Sequence, residues 1–438
     1  MLDSIPLRER QAIEELSARR DEPSWLLQHR LNAWRLYEDM LPPTGLEEDW
    51  RRMDLGVLKL EGVRLFPGAV TYFSAPSLRR TAKNGYDGEI IQGDGVALSR
   101  WLAIDLERQG VIFSDLQLAA QDHPELFRAC FMTEAVQPAT WKLVALHAAL
   151  WRGGIFLHVP AGVQVTVPLH AGIGFSGAGV ALFPHTLIVA EEGSSVTLIE
   201  EHASPNSDRP ALSSGVVEIL VRDDATVRYI GVQDWGKNVD SFSTIRAVLE
   251  RGSRLELGLI GSGGHVTKDD VTATLRASGA NAKIVGLFLA GDAQHMSYTT
   301  LQDHLAPSTT SDLLFKSVLR DSAHLVWNGL TRIHKGAGES DANQTSRNLL
   351  LGEGARVAPI PVLEIEAHDV ARCSHGVTVS SVDEEQLYYM MSRGLTREDA
   401  TQAIIEGFLR QGLESLTLVQ RHARLGRELE RRLLTKAA

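Results

Sequence analysis

The middle of the chain repeats a short turn-and-strand pattern about every 30 residues. Each copy opens with a turn residue and continues with alternating apolar positions; copies begin at Gly162, Gly193, Asp224, Gly252 and Gly279, at offsets of 31, 31, 28 and 27 residues. A further copy at Gly354 lies 75 residues beyond Gly279, where the repeat is degenerate. Because each unit of such an array buries its inner face only against its neighbours, the period is typical of a β-solenoid. Short strands with glycine turns also occur in β-sandwiches, but the regular period favours the solenoid.

The repeat divides the chain into three regions. Short β-branched runs punctuated by Gly, Asp and Ser begin after Gly153-Gly154 and continue to about Val382, so we expect a mainly β core at residues 153–382. Residues 1–152 are predicted to form an N-terminal helical and mixed region. Residues 383–438 are predicted to form a C-terminal helical domain.

Apolar residues at steps of three and four predict helices in the N-terminal region. The first helical segment runs from Leu7 to about Trp50, and Pro42-Pro43 ends its regular pattern. Further helices are predicted from Val96 to Leu106 and from Thr140 to Trp151.

Two helices are predicted in the C-terminal region from their capping residues. Asp383 to Gln386 and Thr396 to Asp399 each have the pattern of a capping box, and Gly394 between them suits a helix C-terminus. The second helix has an apolar stripe made of Ala400, Ile404 and Phe408. This stripe either packs on the solenoid or docks a partner, and its pattern alone does not decide between the two.

Composition excludes several classes of protein. The chain has 438 residues, a net charge of −11 and only two cysteines, Cys130 and Cys373, so neither a disulfide framework nor an all-cysteine metal centre is possible within one copy. An acidic balance without a long basic run argues against nucleic acid as the main partner. The first 20 residues are charged, and no apolar run reaches the ~18 residues of a membrane span. We therefore expect a cytoplasmic protein without a membrane partner.

The most chemically distinctive segment is Cys373-Ser374-His375, inside an alternating run. Residues two apart share one face of a strand, so the thiol and the imidazole lie on the same, more apolar face, roughly 6.6 to 6.8 Å apart. That separation makes a shared larger cluster easier than one tetrahedral zinc, and the two residues are also compatible with simple core packing. Cys130 lies in an apolar helical setting and is predicted to be a core residue.

Other catalytic signatures are weak or absent. The sequence contains neither a P-loop nor a Gly-x-Ser-x-Gly elbow, which argues against nucleotide hydrolysis by the P-loop route and against a serine hydrolase. The segment His158-Val159-Pro160-Ala161-Gly162 is similar to part of a small metal-binding barrel, so a metal-dependent cupin-like barrel enzyme is an alternative. A solenoid acting on polysaccharide is a third possibility from the repeat alone.

Several segments of the C-terminal third together resemble the SufB/SufD family of iron-sulfur cluster assembly proteins. They are Asn343 to Gly352, Pro361 to Ile365, Cys373 to Thr378, Asp383 to Tyr389 and Ser392 to Leu395. The Cys-Ser-His-Gly element resembles the SufD version of a site where SufB usually has a His-Glu pair. Ser346 lies where SufB has the cysteine that accepts sulfur, so the resemblance implies that this chain lacks that acceptor.

The resemblance implies a right-handed parallel β-helix flanked by helical regions. It further implies a non-catalytic scaffold that pairs with a SufB partner through the β-helix and binds the ATPase SufC through its C-terminal helices. A desulfurase system would supply sulfur, and reduced flavin is linked to the assembled complex. His375, with Cys373 beside it, maps to the SufB-SufD interface. The residues that map to ATPase docking are Arg393, Gly394, Glu398, Ala400, Ile404 and Phe408.

An iron-sulfur cluster ordinarily takes about four ligands, mainly thiolates. This chain offers one plausible thiol and one imidazole near each other, Cys373 and His375. We therefore expect any cluster to be transient and shared with the partner.

Overall fold

The computed structural model describes residues 7–59, 63–65, 85–176, 179–422 and 426–427. The helices are α1 (Leu7–Ala18), α2 (Ser24–Asp39), α3 (Ile104–Arg108), α4 (Leu116–Asp122), α5 (Pro124–Cys130), α6 (Lys142–Leu150), α7 (Glu384–Ser392), α8 (Arg397–Leu413) and α9 (Thr417–Arg421). Among the described residues, no helix is long and apolar enough to cross a membrane.

The strands are β1 (Gly88–Gly93), β2 (Val96–Leu102), β3 (Ile112–Asp115), β4 (Gly154–Val159), β5 (Leu169–Gly174), β6 (Ala181–Leu182), β7 (His185–Ala190), β8 (Ser195–Ala203), β9 (Ala211–Val221), β10 (Thr226–Asp234), β11 (Val239–Leu249), β12 (Arg254–Gly261), β13 (Val266–Leu275), β14 (Asn281–Ala290), β15 (His295–His304), β16 (Thr310–Leu319), β17 (His324–Ile333), β18 (Asp341–Leu350), β19 (Arg356–Ile365) and β20 (Arg372–Ser381).

The strands form two long sheets that enclose a common core. Sheet 1 has the order β2-β1-β5-β8-β10-β12-β14-β16-β18-β20, and sheet 2 has the order β19-β17-β15-β13-β11-β9-β7-β4-β3. Every pairing from β4 and β5 onward is parallel, so successive strands alternate between the sheets and build about eight coils. The prediction of a parallel β-solenoid core with helices on both sides is confirmed.

The turns that lead into sheet 1 explain the sequence repeat. Gly193, Asp224 and Gly252 all have positive φ angles, of 64°, 55° and 65°. The backbone N–H of each donates to a carbonyl in the next coil; Gly193 N, for example, is 2.8 Å from Asp223 O. Glycine occupies this conformation without steric cost, and aspartate tolerates it.

The same ladder of turns continues where the sequence repeat becomes degenerate. Its next members are Ser308 and Glu339, with φ angles of 56° and 57°. Because neither is glycine, the pattern is hidden there, although each N–H still donates to the next coil, to Gly338 O and Asp369 O respectively. The overlay at Gly354 belongs to a different turn, the one that enters β19 of sheet 2.

The N-terminal end of the solenoid is closed by antiparallel strands. β2 pairs with β1, and β3 pairs with β4. The predicted helix from Val96 to Leu106 is wrong, because Asp94-Gly95, at φ 48° and 76°, makes the tight hairpin turn that joins two strands. The predicted helix near Thr140 to Trp151 is confirmed as α6.

The N-terminal helices cover the outer face of sheet 2. α2 packs on α6, and their apolar side chains join a cluster that includes Phe156, Leu187 and Leu220 from the sheet. Trp50 extends this layer by stacking on Phe242 of β11, with ring centroids 6.5 Å apart. Cys130 is buried in the same layer, as predicted.

The C-terminal helices cover part of the outer face of sheet 1. The predicted caps are present: Asp383 Oδ1 accepts from Glu385 N at 2.9 Å, and Thr396 Oγ1 accepts from Asp399 N at 3.0 Å. Gly394 ends α7 with a φ of 96°. α8 packs on β14 and β16. Residues 428–438, part of the predicted C-terminal domain, lie outside the described residues.

The C-terminal end of the solenoid is uncovered in the described structure. β19 pairs with β17 and β20 pairs with β18, and each is the last strand of its sheet. Exposed apolar side chains line these two strands at Val362, Ile365, Val377 and Val379. The two ends of the solenoid therefore differ, since antiparallel strands close one and leave the other as a pair of strand edges.

Candidate functional site

Cys373 and His375 lie on the last strand, β20. Their partners in β18 are Ala342 and Gln344, both buried inside the solenoid, so the thiol and the imidazole belong to the inward-facing column of their sheet. No further coil covers them among the described residues, which leaves Cys373 half-buried and His375 exposed. The prediction that both residues share one face of a strand is confirmed, although the face is inward and open.

The opposite face of β20 is held by polar side chains. Arg372 Nε donates to Asp341 Oδ1 at 2.8 Å, and Ser374 Oγ donates to Asn343 Oδ1 at 3.0 Å. Both acceptors lie on the neighbouring strand β18. The strand is therefore fixed by side-chain hydrogen bonds as well as by its backbone ladder.

The Cys373 thiol lies beside apolar side chains. It packs against a small cluster formed by Ile333, Ala337 and Ala342. Burial raises the pKa of Cys373 above the ordinary thiol value of 9.0. Because the thiolate is the form that binds metal, the thiol of the free chain is a weak ligand at neutral pH.

The described residues contain no group of three or more His, Cys, Asp and Glu side chains arranged to hold a metal ion. Cys373 and His375 thus provide at most two donors at the open end. A site built on them takes its remaining ligands from another molecule. Their role as metal ligands stays a prediction.

Ser346, at the position of the SufB cysteine, is buried in the solenoid interior. It lies on β18 opposite Val377 of β20, and its Oγ accepts from Asn348 Nδ2 at 3.0 Å. A hydroxyl in this hydrogen-bonded setting carries no sulfur chemistry, so the described interior here holds a structural polar contact.

The residues predicted to dock an ATPase fall into two groups. Arg393, Gly394 and Glu398 are exposed at the α7–α8 junction. Ala400 is fully buried, and Ile404 and Phe408 are partly buried against the outer face of sheet 1. The remaining buried positions of α8 are Ile405, Leu409, Gly412 and Leu413. The docking role of the predicted residues stays a prediction.

Sequence reasoning did not select an exposed apolar patch that surrounds this junction. We call it the α7 patch; its members are Tyr388, Tyr389, Met391 and Leu395, and Tyr388 is 76% exposed. Arg393 lies over the ring of Tyr389, with Cζ 5.1 Å from the centroid. The signal available in the sequence was a pair of tyrosines in a short helix whose cap residues were already recognised.

The histidines that suggested a barrel enzyme are distributed along the solenoid. His158 lies on β4 beside Glu191, with Nε2 3.4 Å from Oε1. Since the core is a parallel solenoid, the barrel alternative is wrong. A buried group that sequence reasoning missed consists of His147, His185 and Glu218, which join α6 to the outer face of sheet 2.

Comparisons with known proteins match nearly the whole chain. The SufBD core domain of SUF system FeS cluster assembly matches residues 174–408, and the SufBD protein N-terminal region matches residues 101–171. The chain is 33% identical over 409 residues to the iron-sulfur cluster assembly protein SufD of Bacillus subtilis, which covers 91% of each chain.

Two further relatives are similar at nearly the same level. The chain is 30% identical over 424 residues to the iron-sulfur cluster assembly protein SufB of Bacillus subtilis, covering 91% of this chain and 88% of that protein. It is 30% identical over 412 residues to an iron-sulfur cluster assembly SufBD family protein of Staphylococcus epidermidis, covering 91% and 87%. The resemblance found in the C-terminal third is confirmed, and the chain belongs to the SufBD family of the SUF system for iron-sulfur cluster assembly.

Proposed function

We propose that this chain is a non-catalytic scaffold subunit of iron-sulfur cluster assembly, whose cargo is a cluster shared with a partner. The observation that carries the proposal is the position of Cys373 and His375 on the inward face of the uncovered last strand. A cluster takes about four ligands, and this chain offers two. A site with incomplete ligation suits a cargo that is passed on.

The open end of the solenoid supports pairing with a SufB-type paralogue. β19 and β20 each present a strand edge, and such edges accept further strands from another chain. The exposed Val362, Ile365, Val377 and Val379 would be buried by that addition, which supplies a hydrophobic driving force. The added strands would also bring the partner's ligands next to Cys373 and His375.

The C-terminal helices support docking of a SufC-type ATPase. The α7 patch exposes two aromatic rings beside Arg393, Gly394 and Glu398, and aromatic residues and arginine are enriched at protein interfaces. α8 is fixed to sheet 1 by Lys316, whose Nζ donates to Phe408 O at 2.7 Å and to Gln411 Oε1 at 2.9 Å. A force applied at the patch would therefore reach β16 through a rigid contact.

The proposal assigns sulfur entry and electron supply to other components. Ser346 replaces the acceptor cysteine of SufB, so sulfur from a desulfurase system would enter through the partner. Reduced flavin is proposed at the level of the assembled complex, not as a resident group of this chain.

The proposal is tested by co-purifying the chain with SufB-type and SufC-type partners and reconstituting clusters anaerobically with iron and sulfide. His375→Ala should leave the complex intact and reduce cluster yield several-fold. His368→Ala is the matched control, because His368 is also exposed at this end of the solenoid. Equal yields from the two variants, or full cluster formation on the isolated chain, would contradict the shared site.

A further inference from the structure

A row of polar side chains crosses the outer face of sheet 1 at the level of the candidate ligands. Asp312 on β16, Asn343 on β18 and Ser374 on β20 are partners in the parallel register. Asn343 Nδ2 donates to Asp312 Oδ1 at 2.9 Å, and Ser374 Oγ donates to Asn343 Oδ1 at 3.0 Å. We call these three residues the polar ladder.

The polar ladder ends between the two candidate ligands. Ser374 is the residue that separates Cys373 from His375, and its side chain points to the opposite face of β20. It therefore cannot contact a cluster bound on the inward face. Its hydrogen bond acts on the backbone from which both ligands extend.

The last strand needs such support more than the interior strands do. β20 has one neighbour in its sheet, and almost all of its side chains are exposed. Edge segments with few buried contacts open locally at low free-energy cost. Ligands on a strand that opens would lose their fixed separation, and metal affinity depends on residues that orient the ligands.

We propose that Asn343 and Ser374 are positioning residues for Cys373 and His375. The inference rests on the proposed function, because it assigns a role at the same shared site. The chain of contacts runs from Asp312 through Asn343 to Ser374, so the second coil from the end fixes the geometry of the last strand.

The test compares Ser374→Val with Ser374→Thr in the complex with a SufB-type partner. The two variants have nearly the same shape and both suit a strand, but only Thr keeps the hydroxyl that donates to Asn343. Thr378→Val removes a hydroxyl from the same face of β20 and serves as the control. The probe is Co²⁺, whose affinity is measured by titration of its absorption spectrum, and complex formation is followed by gel filtration.

We expect Ser374→Val to weaken Co²⁺ affinity by about 10-fold or more with complex formation unchanged, as removal of ligand-orienting contacts does elsewhere. Ser374→Thr and Thr378→Val should both stay close to wild type. Asn343→Leu, which removes the acceptor, should repeat the loss independently. A purely structural role would instead impair complex formation and would not distinguish Thr from Val.

Equal affinity in Ser374→Val and Thr378→Val would overturn the positioning role. The same titration on His375→Ala separates this failure from failure of the proposed function. If His375→Ala binds Co²⁺ as wild type does, the shared site itself is wrong. If His375→Ala loses affinity while Ser374→Val retains it, only the role of the polar ladder is wrong.

Discussion

Nε2 of His185 lies 3.1 Å from Oε1 of Glu218, and both side chains are completely buried between α6 and sheet 2. On its other side, Nδ1 of His185 is 3.0 Å from Nε2 of His147, whose Nδ1 is 2.7 Å from Ser214 O. A carbonyl only accepts, so His147 donates to Ser214 through Nδ1 and accepts from His185 through Nε2. One proton is then shared between Nε2 of His185 and Oε1 of Glu218.

The buried environment decides where that proton lies. Burial raises the pKa of Glu218 to about 8, although the backbone N–H groups of Met132 and Val136 donate to its carboxyl and oppose the shift. Burial also lowers the pKa of His185 to about 3. At neutral pH the carboxyl of Glu218 therefore carries the proton and donates it to a neutral imidazole.

Glu218→Gln should change how stability depends on pH. In the unfolded chain a glutamate loses its proton near pH 4.5, whereas folded Glu218 keeps it up to about pH 8. Between these values the folded state binds more protons, so this group makes the free energy of unfolding fall as pH rises, by at most about 1.4 kcal/mol per pH unit. Gln is neutral throughout, so the variant should gain stability relative to wild type from pH 5 to pH 8.

Urea denaturation at a series of pH values measures this difference, and Glu384→Gln, at an exposed position of α7, is the control. Parallel pH profiles for Glu218→Gln and wild type would show that the Glu218 carboxyl is ionised in the folded protein.

Arg30→Met should strongly destabilise the N-terminal region. The guanidinium of Arg30 is fully buried, pairs with both carboxylate oxygens of Glu22 at 2.7 and 2.8 Å, and lies 4.4 Å from the ring centroid of Trp151. Removing it leaves the Glu22 carboxylate buried without a partner, which costs about 3 to 5 kcal/mol. Thermal and urea denaturation report the loss.

An exposed ion pair provides the comparison. Arg19→Met breaks the pair with Glu15 on the surface of the first helical segment and should cost less than about 1 kcal/mol. Adding Glu22→Gln to Arg30→Met should restore part of the lost stability, because the unpaired charge is removed. Similar losses from Arg30→Met and Arg19→Met would contradict the assigned role of burial.

Lys316→Met should loosen α8 from the solenoid. Lys316 donates to Phe408 O and Gln411 Oε1, and its Nζ lies 4.4 Å from the centroid of the Phe408 ring. Hydrogen bonds from a charged donor contribute about 1.5 to 3 kcal/mol, so amide hydrogen exchange in α8 should accelerate by roughly 10-fold or more. Lys335→Met, at an exposed turn, should leave the exchange of α8 unchanged. Uniform acceleration across the whole chain would indicate global destabilisation instead.

The two cysteines should differ in reactivity. Cys130 is buried in α5, and burial raises its pKa to about 11, whereas Cys373 is half-buried at the open end. At pH 8 we expect iodoacetamide to modify Cys373 on the order of 10-fold faster than Cys130, because access and thiolate fraction both control the rate. Mass spectrometry of the native and urea-unfolded protein measures both rates. Faster modification of Cys130 in the native protein would contradict its placement in the core.

Local patterns in the sequence predicted much of the fold. The turn ladder was visible at Gly193, Asp224 and Gly252, because a left-handed turn conformation restricts the residues that occupy it. The shared face of Cys373 and His375 followed from the two-residue period of a strand. Both features depend on residues that are close in sequence.

Other features required the tertiary structure. The buried face of α8 runs through Ile405 and Leu409, one residue along from the predicted Ile404 and Phe408, which rotates the contact by about 100°. Both pairs are apolar at the same spacing, so only packing on sheet 1 selects between them. The hairpin at Asp94-Gly95 was missed because the apolar spacing of Val96 to Leu106 was also compatible with a helix.

The sequence by itself determined the repeating solenoid, the helix caps and the scarcity of thiols that makes a shared cluster the simplest hypothesis. The tertiary structure decided which surfaces remain open and which distant side chains meet. His147, His185 and Glu218 come from three separate elements, and Asp312, Asn343 and Ser374 come from three successive coils. No local period connects such residues, because their contacts form only when the coils stack and the helices pack against them.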